Sequence, residues 1–287
     1  MPELPEVETV RIQLQAIIGK KLSQVIVYHP KTVAGDKKIS AKLARKTVTG
    51  IERVGKLLIF HFGRKSDLFL LAHLKMTGQF FYIKRSGAIS GGGHMATETD
   101  FSELPGRHTR VAYHFTDGSV LYFNDMRLFG YNHLVNGEAV KKARAGLGPE
   151  PIAIDFDCEW FIRELRQSHR VVKAVLLDQS FVAGLGNIYV DEALYRAKIR
   201  PTTRANRVTK AKAGALCLSA GAVMREAIKV GGTTFRNFKD TGGRAGNFTA
   251  KLQVFAREGE PCLKCNTPIK KIRLAGRGTH YCPNCQN

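Results

Sequence analysis

The sequence predicts an α+β fold: a half rich in antiparallel strands, then a helical half, then a short cysteine-bearing segment. Three observations predict it. Short runs rich in Val, Ile, Leu and Phe, separated by polar or glycine-containing turns, recur from Gln24 to Phe123. Helical periodicity takes over from Asp157 to Val230. Cys262, Cys265, Cys282 and Cys285 then form a C-x2-C-x16-C-x2-C pattern. Between the two halves, Gly146-Leu147-Gly148-Pro149-Glu150-Pro151 reads as a linker, and 287 residues suffice for two modest domains.

The chain opens Met1-Pro2-Glu3-Leu4-Pro5-Glu6-Val7-Glu8. An initiator Met before a small residue is normally removed, which would leave Pro2 as a free secondary amine beside the Glu3 carboxylate. An α-amine titrates near ~8, so a usable fraction is unprotonated at neutral pH. Its attack on an aldehydic carbon gives an iminium that stays positive and acts as an electron sink. Glu3 could move a proton within reach of that carbon. Pro5 suits a first helical turn, and Glu6 and Glu8 sit where the helix dipole favours negative charge. Val7, Val10, Leu14 and Ile17 follow at helical spacing, giving the helix one buried stripe. Taken alone, these residues also fit an ordinary N-terminus whose glutamates merely answer the dipole.

Strands are expected at Gln24 to Tyr28, Val48 to Val54, Leu57 to Phe62, Leu68 to Leu74 and Gln79 to Ile83. Two more, Val111 to Phe115 and Ser119 to Phe123, flank Thr116-Asp117-Gly118, a hairpin signal, since Asp-Gly supplies the positive φ angles the turn needs. Ser86 to Gly106, with Gly91-Gly92-Gly93, has no periodicity and reads as a long surface loop. Helices are expected at Asp157 to Gln167, Val171 to Gln179, Asn187 to Ala197 and Lys210 to Val230.

The formal charge is +21, from 45 basic against 24 acidic residues, and it is spread along the chain. A folded surface for a polyanion follows, with nucleic acid first. A membrane surface would also attract such a protein. However, there is no apolar run long enough to span a bilayer and no secretory signal region. A cytoplasmic location is therefore expected, with reduced thiols. In that setting the paired C-x2-C knuckles predict one structural Zn²⁺ closed by four sulfurs, ahead of two disulfides or a redox pair. Cys158 and Cys217 lie in helical stretches and read as packing residues. Lys270 to Gly278, between the knuckles, reads as a two-stranded ribbon with a basic tip. Gly184-Leu185-Gly186-Asn187 joins two helices, so backbone N–H groups could meet a phosphate, with Asn187 capping the second helix. A plain helix hairpin would have the same spacing.

Four motifs coincide: Pro2-Glu3-Leu4-Pro5-Glu6, Gly184-Leu185-Gly186-Asn187-Ile188-Tyr189, Gly231-Gly232-Thr233-Thr234 and the terminal cysteine ribbon. In order and spacing the whole chain resembles the formamidopyrimidine-DNA glycosylase family. The resemblance implies an N-terminal antiparallel β-sandwich carrying the first helix, and a C-terminal helical domain with a helix–two-turn–helix element and a four-cysteine zinc ribbon. DNA would bind in the cleft between them. The expected boundaries are 1–148 for the catalytic domain, 149–249 for the helix–two-turn–helix domain with a lesion-recognition loop, and 250–287 for the zinc ribbon. The implied activity is that of a bifunctional DNA glycosylase and AP lyase of base excision repair, acting as a monomer on double-stranded DNA that contains a damaged base. It would remove oxidised purines, namely 8-oxoguanine and formamidopyrimidines, then cleave the strand by β and δ elimination.

By motif, the resemblance makes Pro2 the nucleophile at C1′ and Glu3 the acid/base. Lys56 matches a lysine near the lesion; alone it would read as a solvated surface residue. With Lys56, His73, Asn187 and Arg277 match positions that grip the backbone, though His73 alone would read as a packed strand histidine. The target base must leave the stack. Met76 would fill the void, Phe129 would wedge the opposite strand and Arg127 would hydrogen-bond the widowed cytosine. Met76 and Phe129 alone would read as core. Arg236 to Phe248 resembles a mobile loop that closes over the flipped base. Leu128 stands where the family commonly has a second arginine. An endonuclease VIII-like enzyme for oxidised pyrimidines and a non-catalytic nucleic-acid-binding protein are the alternatives.

Overall fold

The computed structural model describes residues 1–63, 66–87, 89–93, 104–233 and 248–287. The chain divides into two compact units. One contains Met1–Ala145 and the segment that begins at Val230, and the other contains Gly146–Lys229 and Phe248–Asn287.

In the first unit, helix α1 (Leu4–Gln13) is followed by a 3₁₀ turn, Leu14–Ile17. The predicted stripe is buried throughout, with Val7, Val10, Leu14 and Ile17 in one core. Strands β1 (Leu22–Val27), β7 (Thr109–Phe115), β8 (Val120–Asp125), β5 (Gly78–Ile83) and β6 (Ile89–Gly93) form a five-stranded antiparallel sheet in that spatial order. Strands β2 (Val48–Val54), β3 (Leu57–Phe62), β4 (Phe69–His73) and β9 (Tyr131–Val135) form a second, four-stranded one. Alternation along each strand sends Leu58, Phe60, Phe62, Leu70 and Ala72 from one sheet and Phe80, Tyr82, Tyr113, Phe115 and Phe123 from the other into one core. Short helices α2 (Ile39–Leu43) and α3 (Gly137–Ala145) complete the unit, and Val140 of α3 packs on Leu57, Ile59 and Leu71.

In this unit the structure corrects two expectations. Within Ser86 to Gly106, residues 89–93 are a strand, β6, paired with β5 from Gln79↔Gly93 to Ile83↔Ile89. Glycines carry no side-chain pattern, so backbone pairing had no signature to read. The hairpin between β7 and β8 holds a positive φ only at Gly118, +83°, and not at Asp117. Asp117 instead accepts from the Ser119 N–H and hydroxyl.

In the second unit, α4 (Cys158–Gln167) starts at Asp157, whose carboxylate accepts from the Glu159 and Trp160 amides. Helix α5 (Val172–Leu176) is shorter than predicted. Asp178 accepts from the Ser180 N–H and hydroxyl and turns the chain there. Helices α6 (Asn187–Arg196) and α7 (Lys210–Lys229) follow. Strands β10 (Lys270–Leu274) and β11 (Arg277–Tyr281) form the expected ribbon. Cys158 and Cys217 are not the expected packing residues with reduced thiols. A disulfide joins them across α4 and α7, with Cα atoms 5.9 Å apart.

Candidate active site

Glu3 is the N-cap residue of α1, and Glu6 completes a capping box by accepting the Glu3 N–H at 2.9 Å. Pro2, Glu3 and Glu6 are all buried, with Met1 exposed ahead of them. Glu6 is thus no surface dipole charge. Its other oxygen accepts the Thr233 N–H at 2.9 Å and hydroxyl at 3.1 Å. Gly232 permits that approach, because a Cβ there would lie 2.6 Å from Glu6 Oε1 and φ is +80°. Glu8 is paired with Arg11 and, at 2.8 Å, with Arg53. Burial works to raise its carboxyl, but the two guanidiniums outweigh that and hold it below the usual range.

The Glu8–Arg53 pair fastens α1 to the end of β2, next to the β2–β3 turn. Arg53 also donates to the Gly55 carbonyl at 3.1 Å. Lys56 follows in that turn and is 8% exposed, so it is buried and not a solvated lysine. At the end of β4, burial first, then the Lys75 and Lys56 charges, lowers the His73 imidazole to about 3. His73 and Lys56 therefore share one electrostatic neighbourhood. The Lys75 amide donates to His73 Nδ1 at 2.9 Å.

Met76 and the pair Arg127 and Phe129 lie in two loops held by one carboxylate. Asp125, 1% exposed, accepts from the Thr77 hydroxyl, from the Arg127 N–H at 3.1 Å and from the Gly130 N–H at 2.7 Å. Thr77 Oγ1 itself accepts the Arg127 N–H at 3.1 Å. Gly130 has no room for a side chain: a Cβ would meet Phe123 Cζ at 2.8 Å. Phe129 is 49% exposed and the Arg127 guanidinium stacks over its ring at 4.7 Å. Met76 is half-buried. Neither Met76 nor Phe129 is a core residue. Leu128 sits between its neighbours at φ +57°.

In the second unit, Gln179 staples the glycine turn. Its side chain accepts the Gly184 N–H at 3.0 Å and donates to the Leu185 carbonyl at 2.8 Å. Gly186, not Asn187, is the N-cap of α6. Asn187 instead donates its Nδ2 to the Gly278 carbonyl at 2.9 Å, one residue from the exposed Arg277. Beneath this junction Lys173 and Asp191, both fully buried, pair at 2.7 Å. Asp191 also accepts the His280 N–H at 2.9 Å, and Lys173 Nζ lies 3.4 Å from the Gly278 oxygen. Glu192 accepts the Val254 and Phe255 amides, each at 2.9 Å. Burial keeps its carboxyl raised against those donors.

The four terminal cysteines place their sulfurs within 4.8 Å of one another, with Cys262–Cys285 at 3.9 Å and Cys265–Cys282 at 3.5 Å. Sulfurs ~2.3 Å from one tetrahedral Zn²⁺ would be about 3.8 Å apart, so the set fits one structural ion. Arg236 to Asn247 of the expected mobile loop lie outside the described residues.

Sequence reasoning did not single out Asp125, Lys173, Asp191 or Glu192. The one readable signal was Lys173, a lysine inside the apolar run Val171-Val172-Lys173-Ala174-Val175.

Residues 1–132 match the family described as formamidopyrimidine-DNA glycosylase N-terminal domain. Residues 147–239 match the formamidopyrimidine-DNA glycosylase H2TH domain, and residues 259–287 match a zinc finger found in FPG and IleRS. Formamidopyrimidine-DNA glycosylase of Listeria monocytogenes is 37% identical over 291 residues, covering 100% of both chains. That of Lactobacillus helveticus is 41% identical, covering 100% of this chain and 99% of its own. Lactococcus lactis Fpg bound to abasic-site DNA superposes with a TM-score of 0.86 at 37% identity, covering 99% of both chains. A MutM complex with DNA containing carbocyclic 8-oxo-G gives 0.85 at 36%, and Lactococcus lactis Fpg with oxidised-pyrimidine DNA gives 0.84 at 37%, each covering 100% of both chains.

Proposed function

From a chain that belongs to the formamidopyrimidine-DNA glycosylase family, we infer a DNA glycosylase of base excision repair with AP lyase activity, acting on duplexes that contain an oxidised purine. The observation that carries this reading is Pro2 buried beside the Glu3–Glu6 capping box.

Removal of Met1 frees the Pro2 amine. Its nitrogen attacks C1′ of the damaged nucleotide, the glycosidic bond breaks, and the departing base takes the electron pair and the proton that the Pro2 nitrogen gives up. Glu3 protonates the sugar ring oxygen as the ring opens, leaving an iminium between Pro2 and C1′. The iminium acidifies C2′. Loss of that proton expels the 3′ phosphate by β elimination, and δ elimination expels the 5′ phosphate.

Lys56 supplies positive charge at the phosphates. His73 supplies a neutral Nε2–H donor, because its Nδ1 is already an acceptor for Lys75. Asn187 and Arg277 grip the backbone from the second unit. Met76, Phe129 and Arg127 occupy the gap left by the flipped base. Cys262, Cys265, Cys282 and Cys285 would hold a Zn²⁺ that fixes the ribbon on which Arg277 stands. Among the described residues no helix is long and apolar enough to cross a membrane, and we place the protein in the cytoplasm, with the chromosome as its substrate.

Borohydride trapping on a duplex with 8-oxoguanine opposite cytosine, followed by mass mapping, tests this reading. An adduct on Pro2 is expected. No adduct on either that duplex or an abasic one, from processed protein that binds both, would reduce the protein to a binder. Faster release from a thymine-glycol duplex would move the substrate to pyrimidines.

A further inference from the structure

On the second unit, residues 166–171 and 203–208 run side by side as one strip. A bridge pairs Val171 with Arg204, the Ala205 N–H donates to the Arg170 carbonyl at 2.9 Å, and the Asn206 N–H donates to the Ser168 carbonyl at 2.9 Å. The Val172 N–H closes the far end on the Thr203 carbonyl at 2.8 Å, and Arg166 Nε donates to the Val208 carbonyl at 3.0 Å. Arg166, Arg170, Arg204 and Arg207 are all exposed on this strip, with His169 among them. Asp178, 2.8 Å from Arg170, is the carboxylate paired with it.

The strip is fixed by backbone bonds, so its guanidiniums stand on a rigid base. All four of its strong cations are arginines, whose planar forks suit bidentate contact with phosphate oxygens. Its position matters too. Lys173, which reaches the Gly278 oxygen at the Asn187–Arg277 junction, is three residues from Arg170. Three residues span at most about 11 Å, or about three base-pair steps at 3.4 Å each.

We propose that this arginine strip is a second phosphate-contact track, extending the DNA path beyond the Asn187–Arg277 grip onto the flanking duplex. The proposal rests on the DNA-repair reading above and adds a surface that takes undamaged backbone.

The test compares wild type with the variant R204Q/R207Q, chosen because among the described residues neither arginine is paired with a carboxylate. Affinity is measured against salt on a long duplex of about 30 base pairs with a central abasic-site analogue and on a short duplex that ends about two base pairs beyond the analogue on the side of the strip, since each phosphate contact contributes about 0.9 to the salt slope. On the long duplex the slope should fall by about 1.8, so the ratio of wild-type to variant affinity should shrink about twelvefold between 50 and 200 mM salt. The short duplex should show no change, nor should strand cleavage at saturating enzyme. R204K/R207K should restore most of the slope, and it also guards against a folding defect in the glutamine variant. An unchanged slope on the long duplex would overturn the proposal and leave the strip to an acidic protein partner. Equal losses on both lengths would overturn it as well, by placing these arginines in the central grip. Trapping of wild type on the abasic duplex tests the enzymatic reading separately.

Discussion

Lys75 donates its backbone N–H to His73 Nδ1 at 2.9 Å, so the ring proton of His73 resides on Nε2. With its ionisation lowered to about 3 by burial and by the Lys75 and Lys56 charges, His73 is a neutral donor at neutral pH. In the unfolded chain it would titrate near 6.5. Between those values the unfolded state binds the extra proton, so this residue's contribution is full above about 6.5 and is lost as pH falls toward 3. Chemical denaturation of His73→Gln across that window should show a shallower fall in stability than wild type. Parallel curves would contradict the assignment.

Glu3→Gln keeps the shape of the N-cap and removes the carboxyl proposed as proton donor. Base excision should fall by about 10²- to 10⁴-fold, the usual contribution of general acid–base catalysis, while duplex affinity holds. Single-turnover kinetics with a parallel binding isotherm would separate the two.

Asp125→Asn should weaken both loops at once. Its amide cannot accept from the Thr77 hydroxyl and the Arg127 and Gly130 amides as the carboxylate does, and stranding a buried donor costs about 1–3 kcal/mol. Excision of a paired lesion should drop more than cleavage at a preformed abasic site, where no base needs replacing. Equal losses on both substrates would argue against a role in base replacement.

Lys173→Met leaves the Asp191 charge buried without its lysine, a change that typically costs about 3–5 kcal/mol. The matched change Lys173→Met with Asp191→Leu should recover part of that in a denaturation series, though the His280 amide loses its acceptor.

Stripping zinc, or Cys282→Ser, should loosen the ribbon that carries Arg277 and the Asn187 acceptor. Duplex affinity should drop and the salt slope should lessen by about 1, for one lost phosphate contact. Full affinity in metal-free protein would separate the ribbon from DNA binding.

Much of the fold is legible because alternation and periodicity are direct shadows of burial. Strands β2 and β3 fall where predicted, residue for residue. Strand β9 was not legible: it buries Asn132, and Tyr131 and His133 stack on its other side, so no apolar alternation shows. The Cys158–Cys217 bond lies beyond local reading because 59 residues separate its ends. The site residues came from motif resemblance, and their supports did not. Asp125 looks in sequence like any acid at a strand end. Only the pairing that brings Gly78 opposite it reveals that two loops converge there.

That convergence has a consequence for anyone recombining relatives. Residues 74–78 and 125–130 are distant in sequence but share one anchor, so they form a single heritable cassette. A chimera that exchanges one without the other would inherit a loop and lose the brace that holds it. Crossovers placed outside both, carrying the pair together, should transplant the two braced loops as a unit.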